Sequence, residues 1–256
     1  MTPRFPPVPS ICMAYGDGPA RLMAECVMTL LKRVGTKASY KMLEIGNEAY
    51  RRGYDAGVSE GDLESVRQAD AVLQAPGYLG LRQRPLLPPE PKADGLIVPF
   101  SLDDARAAYR LPYSPFAGAE AAITPGYALF CMTEPEKMRP LYPESADPTG
   151  LVLAACLMLS YLERQNEAFL LQAAFMRTLE EGVHPYGFYV PGRSKECVGV
   201  DGLTEAVSFF IGKTPRRLRV SNTEKPFVTD RALLLKSLRA QFRPVPSDVA
   251  LSSPTA

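Results

Sequence analysis

Along the first part of the chain, the spacing of apolar residues switches repeatedly between that of a strand and that of a helix. This alternation predicts a sheet covered by helices. Residues 9–15 are almost continuously apolar, which is typical of a buried strand. An amphipathic helix follows, because apolar residues form one face: Met23, Cys26, Val27, Leu30, Leu31 and Val34. Residues 38–45 and 71–74 are predicted strands, and residues 60–69 a predicted helix. This alternation predicts the α/β class, with a doubly wound, mostly parallel sheet flanked by helices.

The second half of the chain carries further helices. Residues 151–162 are apolar on every side, which predicts a central helix buried on all faces. Residues 166–181 form a second predicted helix. A third begins at Asp201, interpreted as its N-cap, and ends at Gly212. The remaining predicted elements are strands at 95–100 and 127–131 and a helix at 103–111.

Proline interrupts this pattern and divides the chain. There are 25 prolines among 256 residues, about twice the usual share of ~5%. Because proline excludes helix interiors and central strands, its clusters predict extended segments, including both Pro-rich tails. The predicted division is an N-terminal extension (1–9), an α/β domain (10–220) with a Pro-rich bridge at 77–93, and a C-terminal extension (221–256).

Composition narrows the possible functions. A net charge of +1 gives no argument for nucleic acid or an anionic membrane, and no apolar run reaches the ~18 residues of a membrane span. The five cysteines lie singly, three of them in apolar runs where buried thiols are expected (Cys26, Cys131, Cys156), which favours a reducing compartment. His184 is the only histidine, so zinc sites and a Ser-His-Asp triad lack partners. We interpret it as a hydrogen-bonded loop histidine.

Several short motifs in collinear order resemble the isocitrate dehydrogenases. Gly16-Asp17-Gly18-Pro19 resembles that family's opening loop, and Asp147-Pro148-Thr149-Gly150 resembles the start of its central, cofactor-side helix. Residues 178–184, together with 194–199, resemble the end of the large domain in one bacterial-type branch. The resemblance implies the large domain of the isocitrate/isopropylmalate dehydrogenase-like fold.

The resemblance also implies what a truncated and degenerate member would lack. Residues 77–93 stand where the family has a small domain with its catalytic tyrosine and lysine. Asp103 and Asp104 resemble the family's metal-binding aspartates, but the further oxygen ligands that Mg²⁺ needs are missing, so we interpret them as helix residues. The cofactor loop has lost its histidine and glycine. The remaining positions are interpreted as remnants of a cofactor site: Gly16, Asp17, Gly18 and Asp147.

From these departures we predict no catalysis, no cofactor and no metal site. The predicted function is a non-catalytic structural subunit of a mitochondrial assembly, such as the mitoribosome or a respiratory-chain or ATP synthase complex. The mitochondrial setting is predicted because complexes of this kind recruit former enzymes as subunits. Arg4 and the absence of acidic residues before Asp17 are compatible with an organellar presequence, whereas the prolines there disfavour its amphipathic helix. Two alternatives stay open: a regulatory subunit with weak nucleotide or tricarboxylate binding, and a divergent NAD(P)-dependent dehydrogenase.

Contacts with partners are predicted for the Pro-rich segments, for a C-terminal helix and for one basic run. Residues 230–241 form a predicted helix whose apolar stripe docks on a protein subunit: Leu234, Leu235, Leu238 and Phe242. Folding back onto the chain's own domain is the alternative. The run Arg216, Arg217 and Arg219 would contact RNA phosphate in a ribosomal setting, although a solvated basic face is the more ordinary interpretation.

Overall fold

A six-stranded sheet forms the centre of the computed structural model, which describes residues 5–16, 18–54, 57–75, 96–101, 118–123, 128–132 and 146–213. Its strands are β1 Ser10–Tyr15, β2 Ser39–Glu44, β3 Ala71–Gln74, β4 Leu96–Ser101, β5 Gly118–Ile123 and β6 Ala128–Met132. Their order across the sheet is β2-β1-β3-β6-β5-β4. The four strands β2, β1, β3 and β6 are parallel, whereas β5 and β4 are antiparallel to their neighbours.

The connections make a topological switch point between β1 and β3. From β1 the chain crosses to β2 on one side and then to β3 on the other side. Ser10 is level with Ser39 on β2, and Ile11 is level with Ala71 on β3. We call the edge where these parallel strands end the carboxyl edge, and the edge where they begin the amino edge.

Helices cover both faces of this sheet. They are α1 Ala20–Arg33, α2 Asn47–Arg51, α3 Glu60–Gln68, α4 Thr149–Tyr161, α5 Gln165–Glu180 and α6 Val200–Phe210. A second, two-stranded parallel sheet joins β7 Val183–Pro185 to β8 Glu196–Val198, with a 3-10 turn at Tyr186–Phe188 between them. The predicted fold class is therefore confirmed for the described residues.

The core has two layers because successive strand side chains point to opposite faces. Ile11 and Met13 belong to the larger layer, which contains α1, α4, α5 and α6. Cys12 and Ala14 belong to the smaller layer beside α3. All 13 residues of α4 are buried, since α4 lies between the sheet, α1 and α5. The prediction of a central helix buried on all faces is confirmed.

Some local predictions differ from the structure. The N-cap of α6 is Gly199, and Asp201 lies in the first turn, where its charge still favours the helix dipole. The elements α2, β5, β7 and β8 were not predicted. They are short, and β5 (GAEAAI) has only one β-branched residue, so the neighbouring strands define it more than its own propensity does.

Two further predictions concerned membrane-spanning segments and the cysteines. None of the described helices is long and apolar enough to cross a membrane. All five cysteines lie in described segments and form no disulfide bond; Cys26, Cys131 and Cys156 are buried as predicted, and Cys197 is exposed. The predicted helix at 103–111, the bridge at 77–93 and the C-terminal extension lie outside the described residues.

Candidate functional site

The loop after β1 and the last residue of β3 meet at the carboxyl edge, beside the switch point. Gly16 follows β1 directly, and Gly18 turns the chain into α1 with a φ of 67°, a left-handed conformation that glycine adopts without strain. Gln74 ends β3 and is level with Ala14 on β1 and Cys131 on β6. Ligands of open α/β sheets bind at this position.

The first residue of α4 lies at the same edge. At the other end of α4, the ring of Tyr161 lies 5.1 Å from that of Phe5, and Arg164 donates a hydrogen bond to the Pro7 carbonyl. Phe5 and Pro7 precede β1, so this end of α4 lies at the amino edge. A helix of 13 residues spans about 20 Å, roughly the length of a six-residue strand. Thr149 is therefore brought to the carboxyl edge.

Among the described residues, two polar atoms at this edge are buried without a hydrogen-bond partner: Thr149 Oγ1 and Gln74 Oε1. Buried polar atoms in folded proteins are almost always paired, and leaving one unpaired costs about 1–3 kcal/mol. Asp147, two residues before Thr149, is fully buried, and its Oδ1 accepts a hydrogen bond from the Thr149 amide at 2.9 Å. The hydroxyl on α4 and the carbonyl oxygen at the end of β3 thus retain hydrogen-bonding capacity.

Two helix N-termini also face this edge. The N-cap residues of α1 and α4 are Pro19 and Pro148, neither has a side-chain capping bond, and neither helix has an acidic residue in its first turn. Unpaired amides and the helix dipole at such ends favour negatively charged or hydrogen-bond-accepting groups. Asp147 already occupies one amide of α4, so α1 offers the more favourable end for an anion.

The small sheet lies beside the start of α4. Cys197 on β8 is exposed, but the partial desolvation of its thiol raises its pKa, and the charge of Asp147 raises that pKa further, so these two side chains are within electrostatic reach of each other. We call the small sheet the rim of the carboxyl edge. His184 on β7 is buried, and this burial lowers its pKa, although the hydrogen bond to the Leu179 carbonyl opposes that shift.

His184 has both ring nitrogens in hydrogen bonds. Nε2 lies 3.0 Å from the Leu179 carbonyl oxygen, so Nε2 carries the proton and donates it. Nδ1 then accepts from the Ser194 hydroxyl at 2.6 Å, and Ser194 Oγ accepts from the Val190 amide at 2.8 Å. The interpretation as a hydrogen-bonded histidine is confirmed, but the residue lies in a strand and not in a loop, because β7 pairs with β8.

The structure places only some of the predicted site residues. Gly16, Gly18 and Asp147 lie at the carboxyl edge. Asp17, Asp103, Asp104, Arg216, Arg217, Arg219, Leu234, Leu235, Leu238 and Phe242 lie outside the described residues. In the described part of the chain, no group of three or more histidine, cysteine, aspartate or glutamate residues could hold a metal ion. Gln74 was missed, although a polar residue at the end of an apolar strand is a usable signal.

Comparison with known proteins supports the resemblance. No protein-family model matches the chain. The NADP isocitrate dehydrogenase of Rickettsia felis is 32% identical over 66 residues, which are 26% of this chain and 14% of that protein. The corresponding Rickettsia prowazekii protein is 30% identical over 66 residues, with the same coverage. The match thus spans about one seventh of the length of these curated relatives.

Solved structures share the fold at low sequence identity. The TT0538 protein from Thermus thermophilus superposes with a TM-score of 0.65 and 17% identity, covering 82% of this chain and 70% of that one. Isocitrate dehydrogenase from Methylococcus capsulatus gives 0.59 and 10%, covering 80% and 99%. A β-decarboxylating dehydrogenase from Thermococcus kodakarensis gives 0.58 and 12%, covering 80% and 96%.

These findings correct the prediction that the chain is not an enzyme. The relatives are dehydrogenases, and so are two of the three structural neighbours, which points to an enzyme. That prediction was based on substituted motif residues, but the carboxyl edge retains buried polar atoms that no protein group pairs. The chain therefore has the fold shared by the isocitrate and isopropylmalate dehydrogenases, and a 66-residue segment of it is similar in sequence to NADP isocitrate dehydrogenases.

Proposed function

We propose that this chain is a divergent dehydrogenase whose carboxyl edge binds the nucleotide portion of NAD or NADP. The observation that carries the proposal is the pair of buried, unpaired atoms at the switch point, Thr149 Oγ1 and Gln74 Oε1. Each atom costs about 1–3 kcal/mol of stability while it is unpaired, and a ligand that completes its hydrogen bond recovers that cost. The curated relatives are NADP-dependent, which supports a pyridine nucleotide as that ligand.

The described residues fit the hydroxyl-rich parts of a dinucleotide best. The Gln74 carbonyl oxygen accepts hydrogen bonds, as sugar hydroxyls and an adenine amine require, and the Thr149 hydroxyl can donate or accept. The first turn of α1 contains Arg21 and no acidic residue, so it suits a phosphate better than α4, where Asp147 lies. When bound, the nicotinamide supplies the hydride acceptor, and this chain's residues orient the nucleotide.

The groups that would complete catalysis are a separate proposal. The sequence has no counterpart of the small domain that the resemblance implies, with its tyrosine and lysine. We propose that a partner chain in a larger assembly supplies them, and the mitochondrial setting of that assembly stays a prediction. Native-size fractionation, followed by an NAD(P) reduction assay of both the isolated chain and the co-migrating particle, tests this. Activity confined to the particle is expected; full activity in the isolated chain would contradict it.

Nucleotide binding is tested with two hydroxyls on one helix. Thr149 and Ser160 lie near opposite ends of α4, and both have a buried, unpaired hydroxyl. Titration calorimetry with NADPH and NADH should show that Thr149→Val weakens binding about 3–10-fold, the equivalent of one hydrogen bond. The matched control Ser160→Ala should bind like the unmodified chain. Absence of binding of either nucleotide to the unmodified chain at millimolar concentration would refute the proposal.

A further inference from the structure

The outward face of α6 combines acidic residues with an exposed aromatic ring. Asp201, Glu205 and Phe209 are exposed and recur at a spacing of four residues, so they lie on one side of the helix. The opposite side is buried, with Leu203 and Val207 in the core. Phe209 is 67% exposed, the highest value among the large hydrophobic side chains of the described residues. We call Asp201, Glu205 and Phe209 the α6 patch.

The end of α6 is arranged so that one phenylalanine faces inward and the other outward. The Phe210 ring centre lies 5.8 Å from the buried guanidinium of Arg177, whereas Phe209 faces outward and packs edge-on against Phe210, with a ring distance of 5.1 Å. The Lys213 ammonium lies 3.5 Å from the Phe209 ring centre. Lys213 is also the last described residue, so the described part of the chain ends directly beside the α6 patch.

We propose that the α6 patch is covered by this chain's own segment 229–243, which contains the helix predicted over residues 230–241. Of the two possibilities that the sequence left open, this selects folding back over docking on another protein. It is independent of the proposed nucleotide binding, since the patch contains none of the residues assigned to the carboxyl edge.

Charge and pattern complement each other across this contact. The α6 helix has two acidic residues, Asp201 and Glu205, and no basic one. Segment 229–243 carries Asp230 and four basic residues, Arg231, Lys236, Arg239 and Arg243. On a helical projection Arg231 falls within the apolar stripe and Arg239 at its border, so cations accompany the leucines on the same face. The ring of Phe209 would contact the stripe while the acidic residues pair with these arginines.

The length of α6 also agrees with that of the predicted tail helix. The α6 helix has 11 residues, about 16 Å at a rise of 1.5 Å per residue, and the predicted tail helix is of closely similar length. The intervening residues 214–229 can extend at most about 55 Å, at roughly 3.3–3.6 Å per residue, so the tail helix can reach the whole of α6 in either direction. A helix this short is marginal alone in water and gains stability by packing on such a surface.

Tryptic cleavage of the full chain tests the contact. Cleavage after Arg239 is measured by mass spectrometry and normalised to cleavage after Arg193, which is exposed in the domain. We expect Phe209→Ser to accelerate cleavage after Arg239 at least about fivefold, because cleavage follows the population of the open form. Leu238→Ser should reproduce this acceleration from the tail side. The matched control is Phe169→Ser, at the other exposed phenylalanine of the described residues, which should leave the rate unchanged.

Three results would overturn the proposal. The first is cleavage after Arg239 that is equally fast in the unmodified chain and in Phe209→Ser. The second is protection that persists in Phe209→Ser, since the tail would then be held elsewhere. The third is protection that disappears on dilution together with a dimer mass, because a second copy of the chain would then cover the patch. Thermal unfolding of each variant establishes that the domain itself remains folded.

Discussion

The two edges of the central sheet differ in how their polar groups are paired. At the amino edge three hydrogen bonds join neighbouring segments: the Ser10 amide with the Asp70 carboxylate at 2.8 Å, the Ser39 amide with the Pro9 carbonyl at 2.9 Å, and Arg164 with the Pro7 carbonyl. The Ser160 hydroxyl at this end of α4 is buried without a partner among the described residues. At the carboxyl edge, Gln74 Oε1 and Thr149 Oγ1 are buried without a partner. The amino edge therefore contributes stability, whereas the carboxyl edge retains binding capacity at a cost in stability. Substitutions at the two edges should have effects of opposite sign.

The largest effect is expected at the amino edge, from Tyr161→Ala. The Tyr161 ring is 5% exposed and lies 5.1 Å from Phe5 and 5.5 Å from Phe130, so it joins the entering segment, α4 and the sheet. Removing it should lower the free energy of unfolding by about 3–5 kcal/mol, as measured by urea denaturation. Tyr161→Phe keeps the ring and should lose much less. A loss of less than about 1 kcal/mol in the free energy of unfolding would show that the Tyr161 ring contributes little to the stability of this edge.

A smaller loss at the same edge is expected from Asp70→Ala. The Asp70 carboxylate accepts the Ser10 amide hydrogen bond at 2.8 Å, at the first residue of β1. A hydrogen bond to a charged group contributes about 1.5–3 kcal/mol, so the free energy of unfolding should fall by that amount. Asp70→Asn retains an oxygen acceptor and serves as the control. Equal losses in the two variants would mean that the charge, and not the hydrogen bond, matters.

At the carboxyl edge we expect a gain in stability from Gln74→Met. Methionine has a similar length but no unpaired carbonyl oxygen, so the free energy of unfolding should rise by about 1 kcal/mol. The same variant should weaken NADPH binding, which is the exchange of stability for function expected at a binding site. Gln172→Met is the control, because Gln172 Oε1 on α5 is also buried and unpaired. If Gln172→Met weakens binding equally, Gln74 has no special role.

The sequence predicted the elements that pack by their own periodicity. The apolar stripe from Met23 to Val34 and the continuous apolar run of α4 both predict their burial correctly, because a helix face determines which residues enter the core. The antiparallel β5 and the strands β7 and β8 were missed, since these elements depend on neighbours distant in sequence. His184 was assigned to a loop for the same reason.

The candidate site was harder to predict from the sequence than the fold was. Motif resemblance located Gly16, Gly18 and Asp147, because glycine turns and helix starts are local features. It gave the wrong conclusion about catalysis, since the absence of motif residues does not reveal which buried atoms lack a partner. That property of Gln74 and Thr149 depends on three strands and one helix packed together.

The smallest effect concerns the rim of the carboxyl edge and depends on pH. Burial lowers the pKa of His184 below its usual value of 6.5, so the unfolded chain binds this proton more readily than the folded one. The free energy of unfolding therefore rises with pH. The stabilisation that comes from keeping His184 neutral is fully present above about pH 6.5, and it is lost as the pH falls from there through the folded-state pKa. It is the only histidine, and ordinary carboxylates titrate below about 5.

Melting temperatures should fall in the unmodified chain as the pH is lowered from 8 to 5.5. In His184→Gln, whose amide can still donate to the Leu179 carbonyl, they should stay nearly level. A melting temperature that rises on acidification would mean that folding raises this pKa, and the neutral, doubly hydrogen-bonded ring would then be the wrong description of the rim.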